Sequence, residues 1–319
     1  MACGNVTSVL EHFELLGFLY PKDLKSMLLI FFFFMYILCL SGNGLILLVV
    51  GLEPHLHKPM YWFLCHLSII DMMVSSVVVP KLIVWLMGGN GAISFAGCVA
   101  QLFFFHFLGC TECFLYTVMA FDRFLAICKP LHYSTIMNHH VCLYLSAGTV
   151  LGGALHSALE TSLTFHLPYG RGNQVNFIVC DIPAVLKLAC VDTSLNEMVT
   201  FIDVGLVAMA CFLLILTSYI YIICAILRIP TAKGRHRAFS TCTAHITLVM
   251  IYYVPVVYNY LRPASQESFD GIIAMFYAAV TPFLNPLIYT LRNNEMKVGL
   301  KKLCSTKWQG SNKLVRAWC

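Results

Sequence analysis

The sequence predicts an all-α membrane protein, a seven-transmembrane helix bundle with a short amphipathic membrane-surface helix after the seventh span. Three observations lead there. Of 319 residues, 59% are hydrophobic and 11% charged, whereas an ordinary soluble domain is roughly a quarter charged. Seven long stretches lack charge, at 26–52, 59–80 (interrupted only by Asp71), 82–111, 130–159, 204–227, 238–261 and 271–291, and a spanning helix needs ~20 mostly apolar residues. Basic residues are also distributed unevenly. One set of connections holds Lys58, Arg123, Lys129, Arg228, Lys233, Arg235, Arg237, Arg292, Lys297, Lys301, Lys302, Lys307, Lys313 and Arg316, 14 of the 20 Lys and Arg. That side is expected to be cytoplasmic.

These observations divide the chain into an extracellular N-terminal segment (1–25), a membrane domain (26–292) and a cytoplasmic tail (293–319). Residues 1–25 contain Glu11, Glu14, Lys22, Asp23 and Lys25 and lack a basic-then-apolar leader, so the first span is expected to act as the insertion signal. With the N-terminus outside, Asn5-Val6-Thr7 is a usable N-glycosylation acceptor. The net charge of +5 lies largely in the tail and third inner loop. Anionic lipid is a sufficient partner for it, and no nucleic acid is required.

Along the chain, the first span carries Ser41-Gly42-Asn43-Gly44, small residues that let a neighbouring helix approach while Asn43 offers hydrogen bonds away from water. Pro59 suits the first turn of the second span, and Asp71 lies about halfway along it. The third span runs from near Phe95 to Cys128 and contains Glu112, Asp122 and Arg123. Ionisable groups at such depth are costly and rarely face lipid, so they are expected to face the bundle. The fourth span ends near Glu160, and a long functional loop follows. Pro255 in the sixth span and Pro282 and Pro286 in the seventh each remove a backbone donor and favour a kink. In the tail, NNEMKVGLKKLC sets Met296, Leu300 and Leu303 against Lys297, Lys301 and Lys302 at helical spacing, as in a helix lying on a membrane. Cys304 at its end is a candidate for palmitoylation.

No catalytic constellation emerges, and no cofactor is expected. Cys110-Thr111-Glu112-Cys113 has two-cysteine spacing, but a zinc site needs four ligands and none cluster nearby. Cys242 and His245 share a helix face, with His245 read as a polar contact inside the bundle rather than a metal ligand. Four cysteines fall on the outer side, Cys3, Cys98, Cys180 and Cys190. Disulfides are expected there, and four cysteines allow three pairings.

The buried charges read better as a switch. Glu112 and Arg123 are eleven residues apart, about three turns on one face, which places Glu112 deep and Arg123 near the inner rim. Asp71, Glu112 and Asn285 can share a proton, a cation such as sodium or a hydrogen-bonded water. Arg123 can rest against Asp122, extend to receive a partner, or simply snorkel to the interface. A transporter or channel is the rival from another class. The odd helix count, the absence of an internal repeat and the few interior charges oppose it.

Five motifs then occur in order: LHKPMY (56–61), MAFDRFLAIC (119–128), Ser218-Tyr219, RAFSTCTAH (237–245) and PFLNPLIY (282–289). Together they resemble the odorant receptors, a branch of the rhodopsin-like G-protein-coupled receptors. Phe121 and Phe124 stand where that family usually has tyrosines. The resemblance implies a plasma-membrane protein that binds a small volatile odorant and couples to the olfactory stimulatory G protein, raising cyclic AMP. It implies that Arg123 is held by Asp122 at rest and released on activation, that Tyr219 and Tyr289 support the released arginine, and that His245, Asn285 and Pro286 belong to the switch. Asn43, Asp71 and Glu112 fall in the interior polar network, and Lys233 to Arg237 line the partner surface. It also implies a Cys98–Cys180 disulfide. Tyr169-Gly170 stand where the family's additional loop cysteine is expected, so Cys190 is left free or pairs with Cys3.

The ligand cavity is expected in the outer half of the bundle. By helical spacing, Phe105, His106, Gly109 and Cys110 share one face of the third span. Asp203, Val204 and Val207 join from the fifth, Tyr253, Val256, Val257 and Tyr260 from the sixth, and Met275 from the seventh. A mostly apolar lining suits a small ligand oriented by one or two hydrogen bonds. His106 and Asp203 are the expected polar contacts, favouring an oxygenated odorant.

Overall fold

The computed structural model describes residues 11–17, 24–170, 172–260 and 279–307. Asn5, Cys3 and Met275 lie outside these residues, as do the side chains of Tyr260, Tyr289 and Cys304. Among the described residues, helices dominate. Five are long and apolar enough to cross a membrane: α1 (Lys25–Leu52), α2 (Pro59–Leu86), α3 (Phe95–Cys128), α5 (His139–Phe165) and α7 (Ser194–Leu227). The remainder are the short α4 (Pro130–Ile136) and α6 (Ile182–Leu186), then α8 (Ala232–Tyr260), α9 (Thr281–Arg292) and α10 (Asn294–Lys307).

Local sequence explains where several helices begin. Ser94 Oγ accepts from Gly97 N at 3.0 Å to cap α3, and Asn138 Oδ1 accepts from Val141 N at 3.0 Å to cap α5. Each satisfies an otherwise orphaned N–H of the first turn. Pro59 and Pro130 occupy the first helical positions of α2 and α4, where a missing N–H costs nothing. The outward faces remain apolar, with Phe31, Phe33, Phe34, Leu206, Leu213 and Leu214 all exposed. Hydrocarbon rather than water suits such a surface.

The α3 helix sits at the centre and packs against α2, α5 and α7. Its approach to α5 depends on glycine, because a Cβ at Gly153 would lie 2.9 Å from the Phe107 carbonyl oxygen. The α1/α9 contact has a different chemistry. Pro286 has no N–H to give the Pro282 carbonyl one turn earlier, and Asn43 Nδ2 of α1 donates to that carbonyl at 3.0 Å instead. Gly42 lets the helices close, its absent Cβ falling 3.1 Å from Pro286 Cγ.

One end of the bundle carries a small sheet that the all-helical expectation did not include. The strands are β1 (His12–Leu15), β2 (Ala92–Ser94) and β3 (Gln174–Val175), ordered β2-β1-β3. His12 pairs with Ser94 antiparallel, and Leu15 with Val175 parallel. Phe13 is fully buried, stacking on Phe95 at 5.9 Å and meeting Tyr169 edge-on at 6.0 Å. At this sheet end Cys98 and Cys180 form a disulfide with a Cα–Cα distance of 5.4 Å. Cys190 is also disulfide-bonded, which removes the free-thiol alternative. Its backbone neighbourhood is held by Tyr169, which forms an antiparallel bridge with Ala189, and by Cys190 N donating to Pro168 O at 2.8 Å.

Candidate ligand cavity and switch network

Near the sheet end, α3, α5, α7 and α8 enclose a cavity of about 60 Å³. The α3 wall is Phe105, His106, Gly109 and Cys110, all expected from helical spacing, with Cys113 one turn on. From α7 come Val204 and Val207, and from α8 Tyr253 and Val256, again as expected. Ala208, Tyr252 and His156 complete the wall. The cavity is far smaller than the several hundred Å³ usual for drug-sized ligands. A bound molecule must be compact or displace side chains.

Polar groups around the cavity are largely engaged with one another. His106 Nε2 lies 3.0 Å from Asp181 Oδ1, both side chains 6% exposed, so helix α3 is pinned to the loop just past Cys180. Tyr252 donates to the Gly109 carbonyl at 2.6 Å, and the Tyr253 hydroxyl and Cys113 Sγ are 3.0 Å apart. Asp203 is not part of the wall. It stands behind His156, with Oδ2 at 2.8 Å from Nδ1. Val257 points outward and is 44% exposed.

Deeper, the predicted interior network is assembled. Asn285 Nδ2 donates to both carboxylate oxygens of Asp71 at 2.8 and 2.9 Å. Tyr116 donates to Glu112 Oε1 at 2.8 Å and lies 3.3 Å from Asn285 Nδ2. Asp71, Glu112 and Asn285 are all at most 3% exposed. Tyr116 also packs against Tyr252 at 5.4 Å and His245 at 5.9 Å. His245 Nδ1 in turn shares a 2.7 Å hydrogen bond with the Tyr219 hydroxyl. Among the described residues no cluster of three or more His, Cys, Asp or Glu is placed to hold a metal ion.

This geometry meets a consistent set of likenesses. The family model described as olfactory receptor matches residues 32–307. The chain is 58% identical over 300 residues to human olfactory receptor 10G6, covering 94% of this chain and 90% of that receptor. It is 54% identical over 298 residues to human olfactory receptor 10G9 (93% and 96% covered) and 53% over 293 residues to mouse olfactory receptor 10D1B (92% and 94% covered). The chain belongs to the olfactory receptor family. It is therefore a multi-pass membrane receptor of the G-protein-coupled kind, not an enzyme.

At the end of this receptor away from the sheet, Asp122 is 2% exposed and accepts from the Tyr133 hydroxyl at 2.7 Å. Among the described residues no ion pair within 4 Å joins Asp122 to Arg123; the hydrogen bond to Asp122 comes from Tyr133 of α4 instead. Arg123 Nη2 is buried with no hydrogen-bond partner among those residues. Tyr219 reaches His245 rather than Arg123. The α10 helix is docked on the turn after α1: Lys58 Nζ and the Tyr61 hydroxyl reach Glu295 Oε2 at 2.8 and 2.9 Å, and Lys302 Nζ reaches Glu53 at 3.2 Å. Burial pushes the Glu295 carboxyl upward, but the Lys58 and Tyr61 hydrogen bonds outweigh it and hold the group below its ordinary value.

Sequence reasoning missed His156, Glu160 and Tyr133. A signal existed for the first two, since His156 and Glu160 are ionisable groups one turn apart in an apolar helix. Tyr133 gave none, because its partner is eleven residues back across a helix end.

Proposed function

We propose that this receptor binds a small, mostly apolar odorant in the cavity between α3, α5, α7 and α8 and activates a stimulatory, olfactory-type G protein, raising cyclic AMP. The observation that carries the reading is Tyr252. It lines the cavity and packs directly on Tyr116, which touches both the Glu112–Asn285–Asp71 network and His245. A ligand that repacks Tyr252 thereby acts on a contiguous chain of polar and aromatic contacts. The chain continues from His245 to Tyr219, and the G protein docks beside Arg123.

The same reading completes the topology. Helix α8 and the segment ending in α9 are the sixth and seventh spans, and α10 lies on the cytoplasmic membrane surface with its lysines toward anionic lipid. The N-terminus is extracellular and glycosylated at Asn5, the C-terminus is cytoplasmic, and the receptor resides in the plasma membrane. Domain bounds follow as 1–25, 26–292 and 293–319. Of the ligand set, Asp203 acts from behind the wall; Tyr260 and Met275 are assigned to the ligand and Tyr289 to Arg123 on the family resemblance alone, since Met275 and the side chains of Tyr260 and Tyr289 lie outside the described residues. The test is a cyclic AMP reporter screened against a broad odorant panel. Wild-type receptor should respond to at least one odorant and Arg123→Ala, at matched surface level, to none. A full response in Arg123→Ala would overturn the coupling route.

A further inference from the structure

We infer that His156 is the ligand's polar contact and that Asp203 sets its tautomer, making the receptor selective for odorants that donate a hydrogen bond through a hydroxyl group. The inference rests on the cavity being the odorant site. His106, the expected contact, is occupied by Asp181 at 3.0 Å. The Tyr252 hydroxyl is held by the Gly109 carbonyl and the Tyr253 hydroxyl by Cys113. His156 differs. It lines the cavity, its side chain is 10% exposed, and of its two ring nitrogens Nδ1 is the buried, unbonded one while Nε2 is not. Nδ1 lies 2.8 Å from Asp203 Oδ2, and neither atom has a hydrogen-bond partner elsewhere among the described residues.

The contact is short but is not an aligned hydrogen bond. Its consequence for the ring is the same. A carboxylate oxygen 2.8 Å from Nδ1 repels the electron density of an unprotonated nitrogen and attracts an N–H, so the proton sits on Nδ1, beside the carboxylate. A neutral imidazole then presents Nε2 as an acceptor. A carboxylate behind a histidine fixes tautomer and orientation in this way at many functional sites. The neighbouring acid, Glu160, accepts from Thr200 through Oε2 at 2.7 Å and also stands in hydrogen-bonding contact with Asp203; two acids that close share a proton, and the remaining negative charge stays beside Nδ1. An acceptor in a mostly apolar cavity rewards a hydroxyl and repels the oxygen of an ether on the same skeleton.

Asp203 is a positioning residue here, acting only through His156. The experiment compares matched pairs of alcohols and their O-methyl ethers, from cyclohexanol and benzyl alcohol upward, in cells displaying the full-length receptor. For wild type the alcohol should be at least roughly tenfold more potent than its ether, the scale of one unmet buried hydrogen bond. His156→Phe should bring the ratio close to one while retaining surface display. Asp203→Asn can donate to Nδ1 and hold the other tautomer, so the ratio should fall or invert. A merely structural role for Asp203 would lower both potencies together and leave the ratio intact, which overturns the inference. Responses confined to non-hydroxyl odorants would overturn it too, while leaving the cavity reading standing. Silence toward every odorant class would instead sink the cavity reading.

Discussion

Replacing Asn43 by leucine removes the donor that serves the Pro282 carbonyl, and the structure gives both the size of the effect and a way to isolate it. Asn43 is fully buried and its Nδ2 donates at 3.0 Å. A buried carbonyl left unmet costs about 1–3 kcal/mol, although interhelical hydrogen bonds within membranes average only ~0.6 kcal/mol. A loss of about 1 kcal/mol is therefore expected. The second arm is Pro286→Ala, which restores an N–H one turn from the same carbonyl. In that background the carbonyl has a helical donor, so Asn43→Leu should cost little. The assay is a double-mutant cycle of thermal stability on detergent-solubilised receptor, read as the coupling between the two sites. A coupling near 1 kcal/mol is expected. Equal costs of Asn43→Leu in both backgrounds would refute the reasoning.

The same contacts yield other expectations. Gly153→Val should drive a side chain into the Phe107 carbonyl, costing roughly 1–3 kcal/mol by overpacking, whereas Gly148→Ala, with nothing within 4 Å, should be neutral; surface display of the two variants checks this. Tyr133→Phe removes the hydroxyl held by Asp122 at 2.7 Å. If that tie belongs to the resting state, basal cyclic AMP should rise by up to about tenfold, for a charge-assisted bond of about 1.5 kcal/mol; an unchanged baseline would place the tie elsewhere. Because the Glu295 carboxyl is held below its ordinary value, its contribution to docking α10 is complete above about pH 4.3, the unperturbed glutamate value. It is lost as pH falls through the lowered folded value. Glu295→Gln should flatten that acid limb of thermal stability, and an identical acid limb in the variant would count against the assignment.

How much of this was legible in the sequence depended on whether the signal was local. The uncharged stretch 26–52 became Lys25–Leu52, and the third span read as near Phe95 to Cys128 emerged at those residues, because length and polarity are written in consecutive positions. Lys81 blurred the second span, since a charge that reaches the Ala92 carbonyl at 2.6 Å does not end the helix carrying it. That Phe105, His106, Gly109 and Cys110 share one face of α3 followed from helical spacing, and that this face lines a cavity followed from the family resemblance. What spacing cannot supply is the choice of partner. His106 was read as open to a ligand, yet its partner Asp181 is 75 residues distant. Asp203 was read as a contact but stands behind His156 of another helix. The pairing of β1 with β2 and β3 was equally hidden, because four residues without a turn signal become a strand only when two distant loops meet them.

The central claim is that odorant occupies the cavity beside Tyr252, and Gly109→Val tests it most directly. A Cβ there would lie 3.8 Å from the Tyr252 hydroxyl, ordinary contact, and the methyl groups of valine beyond it fill part of a cavity of about 60 Å³; surface display of the variant checks that the fold accepts them. In a cyclic AMP dose–response at matched surface display, potency should fall at least roughly tenfold for every agonist, as expected when a pocket loses the room for a methylene or more. Unchanged potency across all agonists would contradict the account.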